Sequence, residues 1–134
     1  MITGIFINLP ISDVERSRHF FTELGFAIFE KYSGVDSICV EIAPNVKAMM
    51  SKTEKFQSFM EKEISNKSTS EVILSLECQS GEEVRTLTER AFTLGARKVN
   101  DFDDQGFMIS WAFEDLDGHL WDIFWMNPDQ PHNP

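Results

Sequence analysis

The chain has 134 residues, 42% of them hydrophobic and 25% charged, enough for one compact domain with its own core or for two small modules sharing one. No apolar run approaches the ~20 residues of a membrane span, and 22 acidic against 12 basic residues give a net charge of -10, which repels nucleic-acid phosphates and anionic membranes. The N-terminal Met-Ile-Thr-Gly-Ile has no basic segment ahead of its apolar residues, so a cytoplasmic protein is expected.

Apolar residues alternate at Ile5, Ile7, Leu9 and Ile11, the period of a strand. Ser12-Asp13 follows as a helix cap, a helix is expected over 16–24, and Gly25 stops it. An extended piece over 27–32, a strand over 37–42, a turn at Pro44-Asn45 and a strand over 46–50 complete the first block. The polar stretch 51–70 carries Phe56, Phe59, Met60 and Ile64 at helical spacing and reads as a linker with a docked amphipathic helix. The plan then repeats. A strand over 72–78, a cap at Ser80, an acidic first turn at Glu82-Glu83, a helix to Leu94 and a stop at Gly95 mirror the first block. An extended piece over 97–102, a strand over 107–113, an Asp117-Gly118 turn and a last strand containing Asp122 follow. Phe6 corresponds to Ile73 and Ile11 to Cys78, each 67 positions apart, and aligning the turns sets Met49 against Asp122. The organisation is α+β: two βαβββ modules over 1–50 and 71–126 joined by 51–70, one structural domain overall, with a Pro-rich mobile tail over 127–134.

The last strand, "DGHLWDIFWM", sets a chemical problem. So apolar a run reads as buried on both faces, where an unpaired carboxylate on Asp122 costs several kcal/mol. Alternation places Leu120, Asp122, Phe124 and Met126 on one face, and His119, Trp121, Ile123 and Trp125 on the other. Asp122 therefore calls for a metal, a ligand, a basic side chain or backbone N–H groups. Other reactive residues read as bland. Cys39 and Cys78 lie far apart in strand-like runs and are expected as buried free thiols. His119 sits by a turn it is expected to hydrogen-bond, His19 lies at the edge of the core or on the surface, and His132 is in the tail. No Gly-rich phosphate loop or nucleophile elbow is present, and Met49, Met50 and Met60 read as core or cleft filler. Trp111, Trp121 and Trp125, with Phe107 and Phe113, read as packing between helix and sheet, the alternatives being a stacking wall for a flat or cationic guest or an apolar dimer surface.

Two βαβββ blocks with "NLPISDVERSRHFFTELGF" near the start and "FEDLDGHLWDIFWMNP" near the end resemble the vicinal oxygen chelate superfamily, which includes glyoxalase I, extradiol dioxygenases, fosfomycin-inactivating enzymes and bleomycin resistance proteins. Asp115-Leu116-Asp117-Gly118 departs from the usual Asp-Pro-Asp-Gly in the turn. The resemblance implies curved mixed sheets around a cleft and, in metal-dependent members, a divalent Lewis acid held by one side chain from the first and last strand of each module. Those positions fall on Phe6, Met49, Ile73 and Asp122, of which only Asp122 can bind a hard metal. No cofactor is expected, a divalent metal being the weaker expectation. The cleft is then lined by Phe6, Asn8, Met49, Ile73, Ser75, Asp122 and Phe124. Within it Asp122 has three open roles: hydrogen-bonding Asn8, Ser75 or backbone donors; pairing with a cationic or hydroxyl-bearing guest; or serving as metal ligand or catalytic base. The expected function is a metal-free, homodimeric, glyoxalase/bleomycin-resistance-like protein that binds a small cationic or aromatic molecule. The alternative is a metal-dependent lyase or dioxygenase acting on vicinal oxygens.

Overall fold

In the first block, strand β1 (Ile5–Ile11) runs into Asp13, whose carboxylate accepts a hydrogen bond from the Arg16 amide at 3.0 Å and so caps helix α1 (Val14–Leu24). The helix begins two residues earlier than its apolar spacing suggested, because the cap rather than the first apolar contact sets its start. Gly25, at φ 109°, ends it, with its amide bonding back to Thr22 O. Strand β2 (Ala27–Ile28), a 3-10 turn (Glu30–Tyr32), β3 (Ser37–Ala43), β4 (Val46–Lys52) and the short helix α2 (Thr53–Gln57) follow. The computed structural model describes residues 1–130, so the end of the expected tail, including His132, lies outside the described residues. The chain divides into two compact units, Met1–Asn66 and Lys67–Pro134, within the stretch expected as a linker.

The first unit holds a four-stranded mixed sheet in the order β1-β4-β3-β2, with β1 parallel to β4 and the other pairs antiparallel. Leu9, Met50 and Ile38 form one cross-strand row, and Ala48 and Val40 lie in the next row on the same face; all are buried. Phe20, Phe21 and Leu24 of α1, at helical spacing, cover this face. Asn45, at φ 65°, makes the tight β3–β4 turn that Pro44-Asn45 announced.

The second unit repeats the plan. Strand β5 (Ile73–Glu77) leads to Ser80, whose hydroxyl accepts from the Glu83 amide at 3.1 Å, and to helix α3 (Gly81–Thr93). Strands β6 (Arg97–Lys98), β7 (Asp103–Asp104), β8 (Met108–Glu114) and β9 (Leu120–Met126) complete a five-stranded sheet, order β5-β9-β8-β6 with β7 also on β8. The two units therefore share one topology, and the expected α+β pair of βαβββ modules is what forms. Leu74, Trp121 and Phe113 make a buried row, with Ile123 and Trp111 in the next, against Val84, Thr88 and Ala91 of α3. Pairing of Asn8 with Met49 in one sheet and Ser75 with Asp122 in the other reproduces the register read from the repeat.

Three expectations need correction. Only 53–57 of the linker is helical; beyond it the Gln57 amide donates to Met60 O and Lys62 O, which holds the chain in a turned exit and leaves Phe59 60% exposed. The extended piece over 27–32 is a two-residue strand followed by the 3-10 turn, and β7 was not foreseen, since paired aspartates carry no strand signal. Strand β9 is buried on one face only: Trp121 and Ile123 are in the core, while Leu120, Asp122 and Phe124 are half-buried.

Candidate functional site

Each unit has one sheet face away from its helix, and the sequence-predicted site residues of each unit lie on its own face. In the first unit Phe6 pairs with Lys47, and Asn8 with Met49, so these four side chains share one face. The antiparallel partners Glu41 and Cys39 extend the two rows, and the Phe29 amide bonds Cys39 O at 2.7 Å, setting Phe29 beside them. Helix α2 packs against β1 and β4, and Phe56, Phe59 and Met60 line with Asn8 an open pocket of about 380 Å³. Asn8 is its one polar lining residue. Ser51, 1% exposed and one row further along, has a hydroxyl with no hydrogen-bond partner among the described residues.

Beside the pocket stands an aromatic cluster that the sequence did not reveal. The Phe6 and Tyr32 rings meet edge-on at 5.8 Å, and Phe29 and Tyr32 at 4.9 Å. The Lys47 ammonium lies 5.1 Å from the Phe29 centroid and 5.7 Å from that of Phe6. Phe29 and Tyr32 are neighbours across the 3-10 turn, where the Tyr32 amide bonds Phe29 O at 3.2 Å, whereas Phe6 and Lys47 are distant in sequence and join them through the pairing of β1 with β4. Cys39 is buried there, and burial pushes its thiol up, Lys47 opposing and Glu41 adding to the shift.

In the second unit Ile73, Ser75 and Glu77 share a face with Leu120, Asp122 and Phe124. Ser75 Oγ donates to Asp122 Oδ2 at 3.1 Å, one of the partners the sequence proposed. The buried carboxylate expected at Asp122 is not found: the group is half-buried, on the face of the sheet opposite α3. Glu114, on the same face, is bound to Arg97 Nε at 2.7 Å, and this bond holds its carboxyl below the usual carboxylate range.

The deeply buried carboxylate belongs instead to Asp115, 7% exposed. Its Oδ1 accepts from the Asp117 amide at 2.9 Å and the His119 amide at 3.0 Å, and its Oδ2 from Trp121 Nε1 at 2.9 Å. Burial pushes this carboxyl up against the opposing pull of His119, the indole N–H and the two amides. The sequence signal was the Asp-x-Asp-Gly turn itself, in which the first aspartate commonly accepts from the amide two residues on. His119 serves this turn through its main chain. Cys78 is half-buried, and burial, with a hydrogen bond and charge from Glu83, pushes its thiol up to about 12.

The four positions at which the superfamily holds metal do not suit a hard divalent ion. Phe6, Met49 and Ile73 offer no oxygen or nitrogen, leaving Asp122 alone. Among the described residues no three His, Cys, Asp or Glu side chains converge as ligands, and no helix is long and apolar enough to cross a membrane.

A sequence family described as bleomycin resistance protein-like N-terminal matches residues 3–42. No curated protein sequence matches the chain. Among solved structures, a hypothetical protein from S. aureus is similar at 24% identity and TM-score 0.81, over 93% of this chain and 95% of that one. A glyoxalase-related enzyme from Fulvimarina pelagi is similar at 21% identity and TM-score 0.81, over 99% and 94%. A mutant fosfomycin resistance protein from Listeria monocytogenes, complexed with Mn(II) and dihydroxypropylphosphonic acid, is similar at 20% identity and TM-score 0.68, over 96% of each chain. Module topology, repeat register and these likenesses agree: the chain has the paired βαβββ fold of the vicinal oxygen chelate superfamily, with a first module like the N-terminal part of bleomycin resistance proteins.

Proposed function

We propose that this protein is a glyoxalase/bleomycin-resistance-like binding protein that takes a small, largely apolar molecule without a metal ion. The observation that carries this is the pocket of about 380 Å³ lined by Phe56, Phe59, Met60 and the single amide of Asn8. Apolar walls with one or two polar groups favour small organic guests, and the volume suits one or two rings. In the second unit Asp122, with Oδ2 on Ser75, offers a separate acidic group for a hydroxyl-bearing or cationic guest. Exposed Ile5 on edge strand β1, and Val72 and Ile73 at edge strand β5, support a homodimer that covers these edges.

Two measurements test the reading. Metal analysis of protein purified without chelator, followed by Mn(II) and Zn(II) titration, is expected to find no near-stoichiometric site. Stoichiometric metal that vanishes in Asp122→Asn would restore the metal-dependent lyase or dioxygenase alternative. Calorimetric titration with the neutral probe 2-naphthalenemethanol is expected to show one site that Phe56→Glu abolishes; no binding in the wild type removes the pocket as a site.

A further inference from the structure

Lys47 is the feature that the binding reading leaves unexplained. Its ammonium rests on ring faces, and no acidic side chain among the described residues pairs with it, although Glu41 is its cross-strand neighbour. Lysines on sheets ordinarily meet a carboxylate or open water. Here the charge is held beside three rings, two of them still substantially exposed: Phe6 at 48% and Tyr32 at 45%. Ring faces attract the cation but accept no strong hydrogen bond from it, so its N–H donors remain available to an incoming acceptor.

The position relative to the pocket is fixed by the register. Phe6 and Lys47 form one row, Asn8 and Met49 the next on the same face, two residues along each strand and so about 6–7 Å away. The pocket behind Asn8 is apolar, whereas its neighbour in the Phe6 row is a cation. At the opposite end, Lys55 on α2 already donates to Ser37 Oγ at 3.5 Å. Lys31 Nζ lies 5.9 Å from the Tyr32 centroid, on the 3-10 turn and not in the strand row next to Asn8, so that row itself offers one ammonium, which matches one carboxylate.

Resting on the small-molecule reading above, we propose that the first module binds aromatic carboxylates, with the ring in the pocket at Asn8, Phe56 and Met60 and the carboxylate on Lys47 Nζ beside Phe6 and Phe29. This reverses, for this module, the cationic guest expected from the net charge of -10. Remote acidic side chains are screened beyond about 8–10 Å at physiological salt, and of the two near charges Lys47 on β4 lies one strand from Asn8 whereas Glu41 on β3 lies two strands away, so Lys47 decides the sign.

The test uses three probes that share one ring system and differ only in the head group: 2-naphthoate, 2-naphthalenemethanol and 2-naphthylmethylammonium. Each is titrated calorimetrically into the full chain as wild type, Lys47→Gln, Lys47→Arg and Phe56→Glu. The expected order in the wild type is carboxylate tightest and ammonium weakest. Lys47→Gln is expected to weaken naphthoate about tenfold, the scale of one hydrogen bond to a charged group, and to leave the alcohol unchanged. Lys47→Arg should restore most of the loss, which separates a charge effect from a folding defect. Equal binding of all three probes, tighter binding of the ammonium, or a carboxylate preference that survives Lys47→Gln overturns this inference and leaves the binding function standing. Failure of every probe to bind overturns both.

Discussion

Replacing Asp115 by alanine removes the carboxylate that accepts three N–H donors in the Asp115–Trp121 turn and leaves its main-chain bonds in place. Two of its three donors, the amides of Asp117 and His119, lie in a half-buried turn where water can replace part of what is lost. The third is not replaced in this way, since Trp121 is 1% exposed and its indole N–H loses the Asp115 carboxylate where water does not reach it. An orphaned buried donor costs about 1–3 kcal/mol, so with the turn bonds the loss should be roughly 2–4 kcal/mol. Urea unfolding of wild type, Asp115→Ala, Trp121→Phe and the double variant measures it, because the cycle cancels the volume lost from the indole. A coupling of about 1–2 kcal/mol is expected between the two sites. Additive losses would refute the reasoning. The pH dependence supplies a second check. Burial raises the folded-state carboxyl of Asp115 above its unfolded value. Its contribution is therefore full below the unfolded value and declines as pH rises through the folded one. The loss in Asp115→Ala should accordingly be larger at about pH 4 than at about pH 8. The opposite slope would mean that the three N–H donors outweigh desolvation.

Further outcomes follow from local geometry. Asp13→Ala removes the α1 cap and should cost about 1 kcal/mol in thermal or urea unfolding, as should Ser80→Ala at α3. Gly25→Ala forces a side chain into φ 109° and should destabilise by about 1 kcal/mol or more, whereas Gly34, with open space around its Cα, should accept alanine at little cost. With its thiol pushed up to about 12, Cys78 should resist iodoacetamide at neutral pH in the folded protein and react readily in urea. Asp122→Asn can keep the Ser75 bond and is half-exposed, so it should change stability by less than about 0.5 kcal/mol; a larger loss would mean that this carboxylate is more constrained than its one bond indicates.

What could be read from the residues in order was whatever is decided within a few positions of chain. The caps at Asp13 and Ser80, the stops at Gly25 and Gly95, the turns at Asn45 and Gly118 and the alternation of each strand are of this kind. Because the strands repeat at a constant offset, the register that aligns Asn8-Met49 with Ser75-Asp122 was also legible, and with it which predicted site residues share a face. The α2 segment shows the limit of periodicity: Phe56, Met60 and Ile64 have helical spacing, but the Gln57 side chain takes the carbonyls that a longer helix would have used.

Tertiary structure alone decided which carboxylate is buried and where the charges meet the rings. Asp122 sits in a more apolar run than Asp115, yet burial depends on what covers a strand face, and α3 covers the face of Trp121 and Ile123. The sequence by itself determined two βαβββ modules, their register and a metal-poor ligand set, since these follow from local conformational preference and residue chemistry. The pocket at Asn8 and the Phe6, Phe29, Tyr32 and Lys47 cluster depend on strands and turns far apart in the chain packing onto one face, a three-dimensional coincidence that no spacing along the sequence encodes.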